Sequence, residues 1–98
     1  MRAYRVRYTR EASAILQKLH PTIKAAVRTG ISEITKAPLL GRELQFELAG
    51  FRSFRVGRRR IIYKINEEES RIEIHYVGPR RDVYEIFRDL LSGKEPPL

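Results

Sequence analysis

The spacing of apolar residues changes period along this chain, and the order of these changes restricts the fold more than any other feature. Tyr4, Val6 and Tyr8 alternate with arginines, which is the two-residue period of a half-buried strand. From about residue 10 to 36 apolar residues recur every three or four positions, with Thr9 as the predicted cap. His20-Pro21 divides this stretch, because proline is tolerated at the start of a helix but not inside it. The pattern predicts a strand followed by a helical hairpin.

The rest of the chain has the pattern of a strand meander followed by one helix. Alternating runs occupy residues 44–48, 51–57, 60–66 and 71–77, and short polar or glycine-containing turns separate the last three runs. Val83 to Leu91 returns to the helical period, and residues 93–98 resemble a frayed tail. We predict one α+β domain over residues 1–92: an N-terminal strand, a helical hairpin on one face of an antiparallel meander sheet, and a C-terminal helix.

Length and composition exclude several classes of protein. A chain of 98 residues suits one hydrophobic core. It has no apolar run near the roughly 18 residues of a membrane span, no apolar block of a secretory signal at its start, and no cysteine. His20 and His75 lack partners at metal-ligand spacing. We expect a cytoplasmic location, with no membrane association, metal or small-molecule cofactor.

Net charge indicates the kind of partner. The chain has 20 Lys and Arg against 12 Asp and Glu, which gives +8 and a pI of about 10.3. Such a surface attracts polyanions, either a nucleic acid or an acidic protein. We expect both kinds of partner.

The positive charge is concentrated in one predicted hairpin. Five arginines lie between residues 52 and 60 with no acidic residue among them. If Phe54 pairs with Ile61 around a turn at Gly57, then Arg55 lies opposite Arg60 and both point away from the helices. The cluster could be a solvated sheet face, but like charges placed close together without a carboxylate favour a phosphate ligand.

The same alternation assigns the other strand residues to faces. Ile61, Tyr63 and Ile65 are expected to face the helices, as are Ile72, Ile74 and Tyr76. That leaves Ile62, Lys64, His75 and Val77 on the basic side.

Three segments in order resemble the RelE/ParE toxin superfamily. They are Phe54-Arg55-Val56-Gly57, Arg60-Ile61-Ile62-Tyr63-Lys64-Ile65, and Val77-Gly78-Pro79-Arg80-Arg81-Asp82-Val83-Tyr84. The resemblance covers about residues 3 to 90. It implies a compact toxin fold that an acidic, RelB-like antitoxin wraps and neutralises.

The resemblance also implies an activity and a set of site residues. RelE-like members cut mRNA in the ribosomal A site with a basic sheet face, an arginine after the last strand and a C-terminal tyrosine, and the matching catalytic positions are Arg55, Arg60, Arg80 and Tyr84. ParE-like members act on DNA gyrase and generally lack this set. The lysine pair found in some members has no clean equivalent. Arg52 is the nearest basic residue, although alternation from Phe54 places it on the core face.

These residue types suit metal-independent cleavage by an attacking 2′-OH. The three arginines can clamp the phosphate and stabilise added negative charge, but guanidinium stays protonated and cannot act as the base. Tyr84 is the candidate proton acceptor, with His75 as runner-up; the alternative is that Tyr84 flanks the core or stacks on a base. Further RNA contacts are expected from a second set of basic residues: Arg52, Arg58, Arg59, Lys64 and Arg81. Gyrase inhibition and non-catalytic RNA binding remain open.

Overall fold

The computed structural model describes residues 3–79 and 83–93 and has the predicted α+β architecture. The strands are β1 (Arg5–Tyr8), β2 (Arg42–Glu43), β3 (Arg52–Val56), β4 (Arg59–Asn66) and β5 (Arg71–Pro79). The helices are α1 (Arg10–Lys18), α2 (Pro21–Lys36) and α3 (Val83–Leu91). Short 3₁₀ turns occupy Pro38–Leu40 and Phe46–Leu48. None of the described helices is long and apolar enough to cross a membrane.

The helical hairpin begins and divides where the sequence predicts. The Thr9 side chain accepts a hydrogen bond from the Ala12 amide at the start of α1. His20 Nδ1 accepts one from the Thr22 amide at the start of α2, where Pro21 is the first helical residue. Both side chains satisfy amide groups that have no partner within the helix.

The meander strands pair antiparallel, as predicted, and the parallel pairing of β1 makes the five-stranded sheet mixed. Its strand order is β1-β5-β4-β3-β2, and the β2–β3, β3–β4 and β4–β5 pairs are antiparallel. The first strand, β1, runs parallel to β5 at one edge, with Arg5 opposite Arg71. Apolar alternation has the same period in both kinds of pairing, so it cannot reveal the direction of the neighbour.

One predicted strand, over residues 44–48, was wrong. Only Arg42 and Glu43 pair with β3, and residues 46–48 form a 3₁₀ turn in which Phe46 has φ of +56°. This turn buries Leu44 and Leu48 together and leaves Phe46 85% exposed. Leu44 and Leu48 therefore pack on the same side without forming a strand, and Phe46 between them does not.

Two apolar clusters lie on opposite faces of the sheet. The first, beneath α1 and α2, includes Val27, Ile34, Ile61, Tyr63 and Ile72. The second joins the other face to α3, and its members include Phe51, Ile62, Tyr76, Val83 and Phe87. Helices were expected on one face only, but α3 covers part of the basic face.

A bulge at His75 reverses the faces of the β5 residues that follow it. The faces predicted for the residues before it are right, and those predicted for Tyr76 and Val77 are wrong. Ile62 pairs with Tyr76 while its neighbour Tyr63 pairs with Ile74, so His75 has no partner on β4. Beyond this point the faces exchange: Tyr76 packs in the cluster under α3, and Val77 packs in the cluster under α1 and α2. The prediction had these two residues reversed, because strict alternation fails at an inserted residue.

Candidate functional site

The β3–β4 hairpin places two arginines directly opposite each other. Arg55 pairs with Arg60 and Phe54 pairs with Ile61, which is the predicted register. Gly57 closes the turn with φ of +59°, a backbone conformation that residues other than glycine rarely adopt. The Arg55 side chain is exposed, and its Nε donates to the Gly57 carbonyl at 3.2 Å.

Arg60 occupies the centre of this site. It lies between Arg55 on β3 and Gly78 on β5, which offers no side chain to cover it. Its Nε is buried and has no hydrogen-bond partner among the described residues. Within residues 3–79 and 83–93, no carboxylate lies at ion-pair distance from Arg55 or Arg60. The protein itself leaves this pair of cations unneutralised in its described part.

Tyr84 reaches the same face from the first turn of α3. Its hydroxyl donates to Ser53 Oγ at 3.2 Å, and Ser53 is only 2% exposed. Ser53 is two residues before Arg55 on β3, so both side chains point to the α3 side of the sheet. The structure thus brings Arg55, Arg60 and Tyr84 to one region. Sequence reasoning missed Ser53, although a small polar residue at the alternate position before Arg55 was a usable signal.

Arg52 lies on the opposite face from these three residues. It pairs with Tyr63, and its Nη1 donates to the Gly41 carbonyl at 2.5 Å. The Tyr63 hydroxyl accepts from the Gly41 amide at 2.9 Å; burial raises the pKa of this phenol, and the Gly41 hydrogen bond and Arg52 charge partly oppose that rise. Arg52 therefore helps to hold the segment after α2 against the sheet.

The other predicted basic residues are dispersed. Arg58 is exposed in the hairpin turn, and Arg59 begins β4 on the face opposite Arg60. Lys64 lies beyond buried Ile62, with its ammonium 5.5 Å from the centre of the Phe51 ring. Arg80 and Arg81 lie outside the described residues, so the structure gives no position for them.

His75 has the surroundings of a neutral, structural histidine. Its ring lies 4.9 Å from Phe51 and 6.1 Å from Phe87, both edge-on. Burial lowers the pKa of His75, and the Glu73 carboxylate, with Oε1 3.7 Å from Nε2, only partly opposes this. Nothing in this arrangement directs the imidazole toward the arginine pair.

A family model and a curated relative match most of this chain. A family model described as "ParE toxin of type II toxin-antitoxin system, parDE" matches residues 6–84. Toxin RelG of Mycobacterium tuberculosis is 40% identical over 83 residues, which are 83% of this chain and 95% of the relative.

Solved structures give the same result. The RelBE2 toxin–antitoxin complex of M. tuberculosis contains a chain with a TM-score of 0.73 and 39% identity, with coverage of 80% of this chain and 99% of the other. The isolated RelE toxin of E. coli has a TM-score of 0.71 at 15% identity, with coverage of 93% and 98%, and therefore supports the fold alone. The chain belongs to the RelE/ParE superfamily and is a toxin of the type II toxin–antitoxin class.

Proposed function

We propose that this toxin is an endoribonuclease that cuts mRNA in the ribosomal A site and thereby stops translation. The observation that carries the proposal is the facing pair of Arg55 and Arg60, which has no described carboxylate partner and shares its sheet face with the Tyr84 phenol. The 40% identity to Toxin RelG supports the RelE-like branch of the superfamily.

The arginine pair suits a phosphate better than solvent. Like charges directly opposite each other destabilise a sheet, and a bound anion removes that repulsion. Guanidinium groups bind phosphate through two parallel hydrogen bonds, and Arg60 Nε is a donor with no partner among the described residues. These donors stabilise the extra negative charge that develops when the RNA 2′-OH attacks the adjacent phosphorus. The attack forms a 2′,3′-cyclic phosphate and breaks the bond to the 5′-oxygen of the next nucleotide, which takes up a proton from water.

Proton transfer falls to Tyr84 in this proposal. Both arginines remain protonated, so the proton of the attacking 2′-OH needs another acceptor. The Tyr84 hydroxyl lies 3.2 Å from the Oγ of buried Ser53, on the sheet face that also carries Arg55 and Arg60. In this proposal the reaction needs no metal.

The remaining basic residues are assigned to substrate contacts. Arg80 follows Gly78, the partner of Arg60, by two positions and precedes Tyr84 by four, so we assign it as the third phosphate-binding arginine. Contacts to the RNA backbone are assigned to the other predicted residues: Arg52, Arg58, Arg59, Lys64 and Arg81. Arg52 is the weakest of these assignments, because its guanidinium already binds the Gly41 carbonyl.

The proposed regulator is an acidic, RelB-like antitoxin. Chains similar to this one occur in toxin–antitoxin complexes from M. tuberculosis, E. coli and Pyrococcus horikoshii. The net charge of +8 favours an acidic partner, which in this proposal neutralises the toxin in the cytoplasm.

The test is single-turnover cleavage of a defined mRNA on programmed ribosomes. We expect cuts within the A-site codon, and a loss of about 10²–10³ in rate for Arg60→Gln, the cost typical of removing one transition-state donor. Arg28→Gln, which removes the same charge from an exposed position on α2, should cut at the wild-type rate. Intact mRNA with the wild-type toxin refutes the proposal.

Gyrase inhibition is the second candidate, since the matching family model is described by the name ParE. It predicts induction of the DNA-damage response while mRNA stays intact. A non-catalytic RNA-binding role predicts neither mRNA cleavage nor a DNA-damage response. It predicts RNA binding that weakens as salt is added.

A further inference from the structure

A second group of cations lies on the same sheet face, on the far side of the cluster under α3. Its members, named here the second basic patch, are Arg5, Arg7, Lys64 and Arg71. Arg5 pairs with Arg71 across β1 and β5, and Glu73 of β5 pairs with both Arg7 and Lys64. Because directly paired residues share a face, all four side chains project on the side of Ile62 and Arg60.

Among the described residues that pair within this patch, Glu73 carries a carboxylate, and one of its oxygens is already engaged. Glu73 Oε2 accepts from Arg71 Nη2 at 3.0 Å and from the Asn66 amide at 3.5 Å. Burial raises the pKa of Glu73, but these bonds and the Arg71 charge outweigh it, and the net pKa is lowered. Arg5, Arg7 and Lys64 form no ion pair with any residue in the described part of the chain. Most of the positive charge of the patch is therefore available to a partner.

The patch includes a concave surface. Arg7, Arg71 and His75, together with the Arg71-bound Glu73, line a shallow cavity of about 490 Å³ next to half-exposed Tyr8. This volume is within the range of small-ligand sites. Arg71 Nε is buried there without a hydrogen-bond partner among residues 3–79 and 83–93. An incompletely satisfied guanidinium beside a cavity is a site for an anion.

We propose that the second basic patch binds backbone phosphates of RNA away from the phosphodiester that is cut. Lys64 follows Arg60 by four residues on β4, which is roughly 13 Å at about 3.3 Å per residue. Cations spread along three strands match the repeated charges of an RNA backbone better than a single carboxylate. The inference rests on the proposed function only in taking the polyanion to be RNA. It assigns the patch to binding and positioning, separate from the chemical step.

The test measures RNA binding without cleavage. The probe is a short fluorescent 2′-O-methyl oligoribonucleotide, which lacks the attacking hydroxyl, and its affinity is measured from 50 to 200 mM salt. Each phosphate neutralised on a single strand contributes about 0.7 to the slope of log K against log salt. The double variant Arg5→Gln/Arg7→Gln should have a slope shallower by about 1.4. Lys24→Gln/Arg28→Gln, with the same charge change on α2, should keep the wild-type slope.

Two results would overturn the inference. One is equal slopes for both double variants and the wild type, with their folds verified by circular dichroism. The other is unchanged RNA binding with weakened binding of the acidic antitoxin, which would assign the patch to that protein instead. Cleavage on programmed ribosomes separates this inference from the proposed function: if the wild type leaves mRNA intact, the nuclease proposal fails, while the salt slopes still decide whether the patch binds RNA.

Discussion

Replacing Arg55 with glutamine should make the toxin less active without making it less stable. Arg55 faces Arg60 across the hairpin, and no carboxylate in the described residues offsets the pair. Cross-strand pairs contribute about 0.2–1 kcal/mol to sheet stability, with like charges unfavourable. The lost hydrogen bond from Arg55 Nε to the Gly57 carbonyl is exposed, so water replaces it at little cost. Arg55→Gln should therefore stabilise the fold by about 0.2–1 kcal/mol, or about 1–8 °C in Tm.

The same substitution should reduce cleavage by about 10²–10³, because it removes one donor aimed at the transition state. Thermal unfolding and single-turnover cleavage on programmed ribosomes measure the two effects on one protein preparation. Arg28→Gln is the matched control and should change neither the Tm nor the cleavage rate, because Arg28 lies on α2 and has no cross-strand partner. The gain in Tm should shrink toward zero at 1 M salt, where the screening length falls to about 3 Å.

A double-mutant cycle with Arg60→Gln isolates the repulsion. Once either arginine is removed, removing the other should bring no further gain from relieved repulsion, so the two stability effects should be non-additive. Loss of stability in Arg55→Gln would mean that this arginine holds the hairpin together, and additive effects in the cycle would mean that the two arginines do not repel each other. The phosphate argument would then lose its physical basis.

Three further outcomes follow from single contacts. Ser53→Ala should slow single-turnover cleavage by about 2–10-fold, the equivalent of one hydrogen bond, and should have no added effect in a Tyr84→Phe background. Gly30→Ala should lower the free energy of unfolding in urea by about 1–3 kcal/mol, because its Cβ would lie 2.5 Å from Val56 Cγ2; an unchanged midpoint would contradict this. Burial lowers the pKa of folded His75 below 6.5, so the free energy of unfolding should be constant above pH 6.5 and should fall as the pH drops below it. Urea titrations should show a smaller fall for His75→Gln.

The sequence predicts the arginine pair because local chemistry determines it. Gly57 supplies the positive φ that a tight turn needs, and the turn sets the register that places Arg55 opposite Arg60. The helical hairpin is predictable for the same kind of reason, since Thr9 and Pro21 mark where its helices begin. Features set by neighbouring residues in the chain could be derived without coordinates.

Features set by tertiary packing could not be derived in this way. The parallel pairing of β1 with β5 has no signature in the alternation of Val6 and its neighbours. The exposure of Phe46 depends on a 3₁₀ turn that no proline or glycine within residues 44–48 marks. The packing of α3 on the arginine face could not be predicted either, because its apolar stripe indicates burial but not which face of the sheet it covers.

The bulge at His75 links the main error of the face assignment to the geometry of the site. With regular alternation, Tyr76 would point toward α1 and α2, and the face under α3 would lose a large ring. The inserted residue turns Tyr76 to the other side, where its ring lies 6.1 Å from Phe87 and joins Ile62 in the surface on which α3 packs. Tyr84 is nearly one helical turn before Phe87, so seating Phe87 on this surface also brings the phenol to Ser53. The bulge therefore helps to fix the position of Tyr84 relative to the arginine pair, in keeping with the frequent occurrence of bulges beside active sites.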